Sequence, residues 1–188
     1  MYLSARELDQ SSLDSSAQTW VNKYLKYTHG YGAVVSPVNQ VTSQGQPEMW
    51  VENIPPNSEI PELEITRPEI YYGQVTNDYV IVNTKEPEFD YPIGDSNAQS
   101  QYEGDAGIPM NFMNKSLFAM DRANYKILFS NLITSDSKIL LNRNILERVE
   151  KIAPFLTFDG DPYLVIHEGG LVWVIDAYTS TDKSPYAA

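Results

Sequence analysis

The sequence contains no cysteine. That excludes a disulfide framework, thiolate-held metal or cluster sites and thiol catalysis, while leaving the compartment open. Basic residues are scarce: 13 Lys and Arg stand against 25 Asp and Glu, for a formal charge of −12. A field of that sign repels phosphate backbones, so nucleic acid is not expected as a partner. The two histidines, His29 and His167, share no short spacing and do not make a metal site. The longest apolar run, Leu171 to Ile175, falls far short of the ~20 residues of a membrane span. Met1 to Glu7 lack the apolar core of a signal peptide. There is no phosphate loop, dinucleotide fingerprint, Gly-x-Ser-x-Gly elbow or His-Glu-x-x-His helix.

What is present suffices for a core, since 42% of the 188 residues are hydrophobic. The 12 Pro, 10 Gly and 13 Tyr favour strands and turns. Charge is segregated: residues 48–105 hold 13 acids and only two bases, Arg67 and Lys85. That segment reads as an acidic, extended region between two more conventional flanks. In the first flank, Ala17, Trp20, Val21, Tyr24 and Leu25 form one apolar stripe at helical spacing. Ser15 with Gln18 fits a capping box, and Gly30 suits the helix stop.

The acidic region reads as strands at 31–38, 49–52, 63–66, 69–74 and 79–84, with residues 75–78 turning a hairpin between the last two. The nearly all-apolar 79–83 run suggests a strand inside a sheet. Residues 93–107 are small and polar and read as a mobile loop. Residues 113–133 return to helical spacing, interrupted at 121–124, so two short helices are as good a reading as one. A further helix spans about 144–153 with Ile145, Val149 and Ile152 inward, ended by Pro154. Strands at 163–167 and 171–178 flank the compact turn Glu168-Gly169-Gly170.

The chemistry-bearing residues are fewer. His29 sits on a glycine-flanked turn, where an imidazole can serve as acid, base or ligand, or simply cap a helix C-terminus. His167 reads as an exposed strand residue. Asp90 to Asp105 begins like a calcium loop at Asp95, but its Gly and closing Glu are misplaced, so any calcium binding there would be weak. Arg67, nearly alone among acids, is expected to pair with a carboxylate. Tyr71 belongs with Trp50, Tyr72, Tyr79, Tyr91 and Tyr102 to an aromatic set that could stack on a ligand or pack in the core, and Tyr31 follows His29 on the glycine-flanked turn. The candidate ligand-binding residues are therefore His29, Tyr31, Arg67, Glu69, Tyr71, Glu86, Asp90 and Asp95. No residue is assigned a catalytic or metal-binding role.

Several runs are specific beyond composition: Ala5-Arg6-Glu7-Leu8, Trp20-Val21-Asn22-Lys23, Tyr27-Thr28-His29-Gly30-Tyr31-Gly32, and Ser36-Pro37-Val38-Asn39. To these add Arg67-Pro68-Glu69-Ile70-Tyr71-Tyr72-Gly73, Tyr79 to Glu86, Phe89-Asp90-Tyr91-Pro92, Lys151 to Thr157 and Asp176-Ala177-Tyr178-Thr179. In this order they resemble the soluble region of the uncharacterised protein family UPF0182, large bacterial multi-pass membrane proteins. The resemblance implies an early piece of that region, facing the outside of the cytoplasmic membrane. It brings no activity, substrate or catalytic residue.

The expected fold is α+β: a mainly antiparallel sheet with two to four short helices in a single compact unit, one domain over residues 1–188 cut from a larger membrane protein. Strand and helix clusters alternate without β-α-β units. The expected role is a non-catalytic extracytoplasmic module for interaction or assembly. Its partners would be the membrane helices of the same full-length protein and other envelope proteins. The alternative is a metal- or carboxylate-dependent hydrolase acting on envelope glycan or peptide.

Overall fold

Prolines and acidic residues cut the apolar runs short, and the strands are correspondingly brief. The computed structural model describes residues 1–181. In chain order the elements are β1 (Tyr2–Ala5), β2 (Gly30–Tyr31), β3 (Ala33–Ser36), β4 (Val51–Glu52), β5 (Asn57–Ser58), β6 (Glu69–Ile70), β7 (Val80–Val82), β8 (Glu88–Ile93), β9 (Ser96–Ser100) and β10 (Ile108–Pro109). Helices α1 (Phe112–Asp121) and α2 (Lys126–Phe129) follow, then β11 (Lys138–Leu140), α3 (Ile145–Ile152), β12 (Thr157–Phe158), β13 (Tyr163–His167), β14 (Gly170–Val174) and β15 (Ala177–Tyr178). Every pairing between these strands is antiparallel, in an α+β arrangement.

Two packing centres organise the chain. In the four-stranded sheet, ordered β1-β3-β4-β5, β3 alternates buried and half-buried residues as a one-sided strand should. Ala33, Val35 and Val51 meet Leu164 there, with Leu3, Ala5 and Trp173 at the edge of the cluster. The second centre is the sheet β10-β11-β7. Ile81 and Ile139 pack against Leu25, Ile127 and Ile133 on one side. Val80, Val82 and Leu140 pack against Tyr102 on the other. The 79–83 strand is thus buried on both faces, yet it sits at the end of its sheet and not inside it.

The first helix is shorter than its apolar stripe suggests. Residues 20–26 are helical, and the turn closes as a wide π-type loop in which Tyr27 N donates to Asn22 O at 2.8 Å. Gln10 Nε2 satisfies the carbonyls of Lys23 (2.7 Å) and Tyr27 (2.8 Å), so the helix end needs no glycine stop. Gln18 does not close a capping box; its amide donates to Leu13 O at 2.8 Å. Gly30 belongs to β2, where a Cβ would run into the Arg6 carbonyl.

Three strand expectations are also corrected. Residues 61–63 form a 3-10 turn led by Pro61, so 63–66 is not a strand. Residues 75–78 do not turn a hairpin: β6 pairs with β2 and β7 with β11. The supposed mobile loop at 93–107 contains the turn and second strand of the β8–β9 hairpin, closed by Gly94 at φ +55. A register shift between Phe89 and Pro92 lets a proline lie inside β8.

Other expectations hold. Residues 113–133 split into two helices; Asn111 caps the first through Asn114 N (2.9 Å), and Ala123 breaks the chain at φ +47. Asn144 caps α3, although Ile152 faces solvent and not the core. Glu168 and Gly169 turn the β13–β14 hairpin at φ +49 and +73, as a type I′ turn requires.

Candidate functional site

Among the buried polar residues, Thr28, His29, Glu88 and Arg143 converge between β2, β6, β8, β9 and the segment after β11. Glu88 and Arg143 are each 1% exposed. Glu88 accepts from Thr28 Oγ1 (2.6 Å), Tyr71 OH (2.9 Å) and the main-chain N–H groups of Asn83 and Tyr102 (both 3.3 Å). Four donors replace the water a carboxylate would otherwise demand. Arg143 donates from Nε to Tyr71 O (2.7 Å), from Nη1 to Asp78 O (3.3 Å) and from Nη2 to Thr28 O (2.6 Å). The two charges form no ion pair with each other. Thr28 stands between them, its hydroxyl given to Glu88 and its carbonyl to Arg143. Burial pulls the Arg143 guanidinium down to about 10. Burial, then the Glu88 charge, push the Tyr71 phenol far above its ordinary value and keep it a donor.

His29 lies beside this pair, its side chain wholly buried. The Gly30 carbonyl is 3.1 Å from Nδ1, which places a ring proton there. Ser100 Oγ and Asp90 Oδ1 both lie 3.3 Å from Nε2. Asp90 Oδ1 is buried and has no hydrogen-bond partner among the described residues, because its approach to His29 lacks hydrogen-bond alignment. Tyr71 packs on the imidazole at 4.9 Å, with Tyr31 farther out at 6.5 Å. Burial, followed by the Asp90 charge, pushes the Tyr31 phenol up to about 12. Serine and carboxylate both face the same ring nitrogen, so these residues are not ordered as a nucleophile–base–acid relay. Among the described residues no group of three or more His, Asp or Glu could hold a metal ion.

Two clefts flank the centre. One of about 540 Å³ is lined by Arg67, Glu69, Tyr71, Ser100, Tyr102 and Glu103. Arg67 forms no ion pair among the described residues, which corrects the expected carboxylate pairing. Its N–H instead bonds Gly169 O at 3.0 Å, and its guanidinium lies over Gly170. Glu86 lines a separate cleft of about 340 Å³ with Asn83, Lys85 and Gln99. Asp95 stands exposed at the β8–β9 tip. The structure therefore gathers His29, Tyr31, Tyr71 and Asp90, places Arg67 and Glu69 at the neighbouring cleft, and leaves Glu86 and Asp95 apart. Thr28, Glu88, Ser100 and Arg143 are not among the candidates the sequence supplied. Glu88 between Pro87 and Phe89, and Arg143 just after the apolar run 139–141, carried the available signal: a charge held inside apolar surroundings.

The helices present the opposite arrangement. Phe118 and Ala119 of α1 pack inward. Phe112 (80% exposed), Met113 (71%), Leu117 and Met120 (71%) share the other half of the helix. On the adjoining α2, Ile127 is buried while Phe129 is 74% exposed, and Tyr125 just before it is also exposed.

The family model described as "Uncharacterised protein family (UPF0182)" matches residues 1–188. The chain belongs to the UPF0182 family. It is 53% identical over 187 residues to a UPF0182 protein of Alkaliphilus metalliredigens, covering the whole chain and 20% of that protein. It is 52% identical to a UPF0182 protein of Clostridium botulinum strain Okra and 49% identical to one of Methanospirillum hungatei, covering 21% of each. The chain thus spans about a fifth of the length of these curated UPF0182 relatives. No solved structure shows a significant match. Among the described residues of this UPF0182 chain, no helix is long and apolar enough to cross a membrane.

Proposed function

We propose that this UPF0182 chain is a non-catalytic interaction module within a longer polypeptide, lying outside the cytoplasmic membrane and docking on the membrane-embedded part of the same protein, with other envelope proteins as further partners. The α1–α2 face carries the reading. At roughly 150–250 Å² per aromatic side chain, Phe112, Tyr125 and Phe129 alone leave several hundred Å² of apolar surface in water. Patches of that size mark binding surfaces. Length supports this choice of occupant, since UPF0182 relatives devote four-fifths of their chain to something else. The buried centre supports the non-catalytic part of the reading: Glu88 and Arg143 are held by the protein's own hydroxyls and main chain, and the wholly buried His29 side chain would need a path opened to reach a substrate. The hydrolase alternative draws on the His29–Ser100 contact and requires that path.

The test uses single cysteines in the full-length protein, made otherwise cysteine-free. Asp95→Cys at the exposed hairpin tip is expected to react with a membrane-impermeant maleimide on intact cells, while Met120→Cys stays shielded. Equal labelling of both positions removes the docking face. Labelling of Asp95→Cys only after the cells are opened removes the outward location.

A further inference from the structure

Opposite charges line the 540 Å³ cleft beside Tyr71 without meeting each other. Arg67 stands just before β6, Glu69 within it, and Gln101 and Glu103 just after β9. Among the described residues, none of these four side chains makes a hydrogen bond or an ion pair. A guanidinium set among acids ordinarily closes on a carboxylate. Here the fold holds it off. Arg67 N donates to Gly169 O (3.0 Å), Arg67 bridges Gly170 in parallel, and a Cβ on Gly170 would stand 3.0 Å from its Nη2. The guanidinium is therefore laid against the start of β14.

The buried Tyr102 and half-buried Tyr71 form the floor of the cleft, and the exposed Arg67, Gln101 and Glu103 its rim. That floor is set before any ligand arrives. Glu88 fixes both tyrosines, accepting from Tyr71 OH (2.9 Å) and from Tyr102 N (3.3 Å). The two rings meet edge to face at 4.7 Å. Gly104 leaves room for the Tyr102 ring, which a Cβ there would strike. The volume falls within the roughly 300–1,000 Å³ of small-molecule sites, and a floor already in place spares part of the ordering cost of binding.

We propose that this cleft binds a zwitterion: an amino acid or short peptide with a free α-carboxylate and a free ammonium. Arg67 takes the carboxylate, whose two oxygens match its planar fork of N–H groups. Glu69 and Glu103 take the ammonium, the Gln101 amide serves a peptide group, and the tyrosine floor meets the apolar part. A ligand of one sign fits less well, because an anion would face two carboxylates and a cation would face Arg67. The site adds a function to the module reading and makes no use of the α1–α2 face, so neither stands or falls with the other.

Calorimetric titration of the full-length protein with alanine, dialanine and trialanine tests it. Saturable binding of at least one is expected, and its absence for all three overturns the proposal. Binding of the peptides alone assigns the cleft to peptides, and equal binding of alanine assigns it to free amino acids; either supports the zwitterion site. Acetylating the ammonium of the best binder, or amidating its carboxylate, is expected to weaken it at least about tenfold, as the loss of one charge-assisted contact requires. Undiminished binding of the acetylated form would leave an anion site, and of the amidated form a cation site; each overturns the proposal. Arg67→Gln is expected to weaken the best binder by a similar factor while leaving its amidated form unchanged, and wild-type affinity in that variant also overturns it. The blocked probes need no variant, so they decide even where Arg67→Gln disturbs the Gly169 turn.

Discussion

Glu88, Arg143 and His29 lie inside the molecule with nearly every polar atom partnered, whereas Phe112, Met120 and Phe129 stand in water with most of their surface uncovered. The first region inverts the usual rule for charge and the second the usual rule for apolar groups. Burying a charge is costly unless dipoles surround it, and here the dipoles belong to segments far apart in sequence. Leaving apolar surface in water is costly unless something covers it. The difference separates a region that holds this fold together from one that the proposed docking would cover.

The comparison breaks first at Glu88. Glu88→Ala strips two hydroxyls and two main-chain N–H groups of their acceptor, and a loss of about 3–5 kcal/mol is expected in urea unfolding. A loss below ~1 kcal/mol would show that the polar centre does not hold the fold.

Alkaline pH gives a graded version. The Tyr31 phenol is raised to about 12 and that of Tyr71 further, so the folded state keeps protons the unfolded chain releases near 10. Their stabilisation is complete below pH 10 and is lost as pH rises through 12. Arg143 works in the opposite sense: its folded value, about 10, lies below its ordinary 12.5, and the cost of its buried charge lifts over the same window. The raised phenols outnumber it, with Tyr24, Tyr72, Tyr79 and Tyr102 also shifted upward by burial. Stability is therefore expected to fall above pH 10, less steeply in Tyr31→Phe, as read from unfolding midpoints across pH. A flat profile would contradict the buried phenols.

The smallest effect belongs to the helices. Met120→Ser is expected to change the stability of the 188-residue chain by no more than ~0.5 kcal/mol. In the full-length protein, with the face docked as proposed, the same change would remove a covered side chain, each such burial stabilising by ~1.5–3 kcal/mol, and is expected to speed proteolysis of the module. Equal resistance of the two full-length proteins would leave the face without a partner.

Local signals were legible in the sequence and distant ones were not. The Asp121–Asn124 break, the helix from about residue 144 and the Glu168–Gly169 turn are decided by residues within a few positions of one another, and each formed as read. The β8–β9 hairpin was missed because Ser-Asn-Ala-Gln-Ser has no apolar alternation, and its pairing with β8 supplies the order. His29 looked like a helix-end residue because its ring partners, Asp90 and Ser100, lie 61 and 71 positions away. Arg67 was expected to seek a carboxylate on charge alone, but its backbone is committed to the Gly169 turn. The centre could be read only in part, since Thr28, Tyr71, Glu88 and Arg143 become neighbours through sheet pairings that no short pattern announces.

Arg143 has a further consequence for how the chain is made. Its guanidinium reaches back 115 residues to the Thr28 carbonyl and 72 to that of Tyr71. During synthesis the earlier segments leave the ribosome with those carbonyls still hydrated, and they cannot lock until residue 143 has emerged. A ribosome stalled before that point would display this centre loose and protease-sensitive, and one stalled after residue 143 has emerged would display it locked.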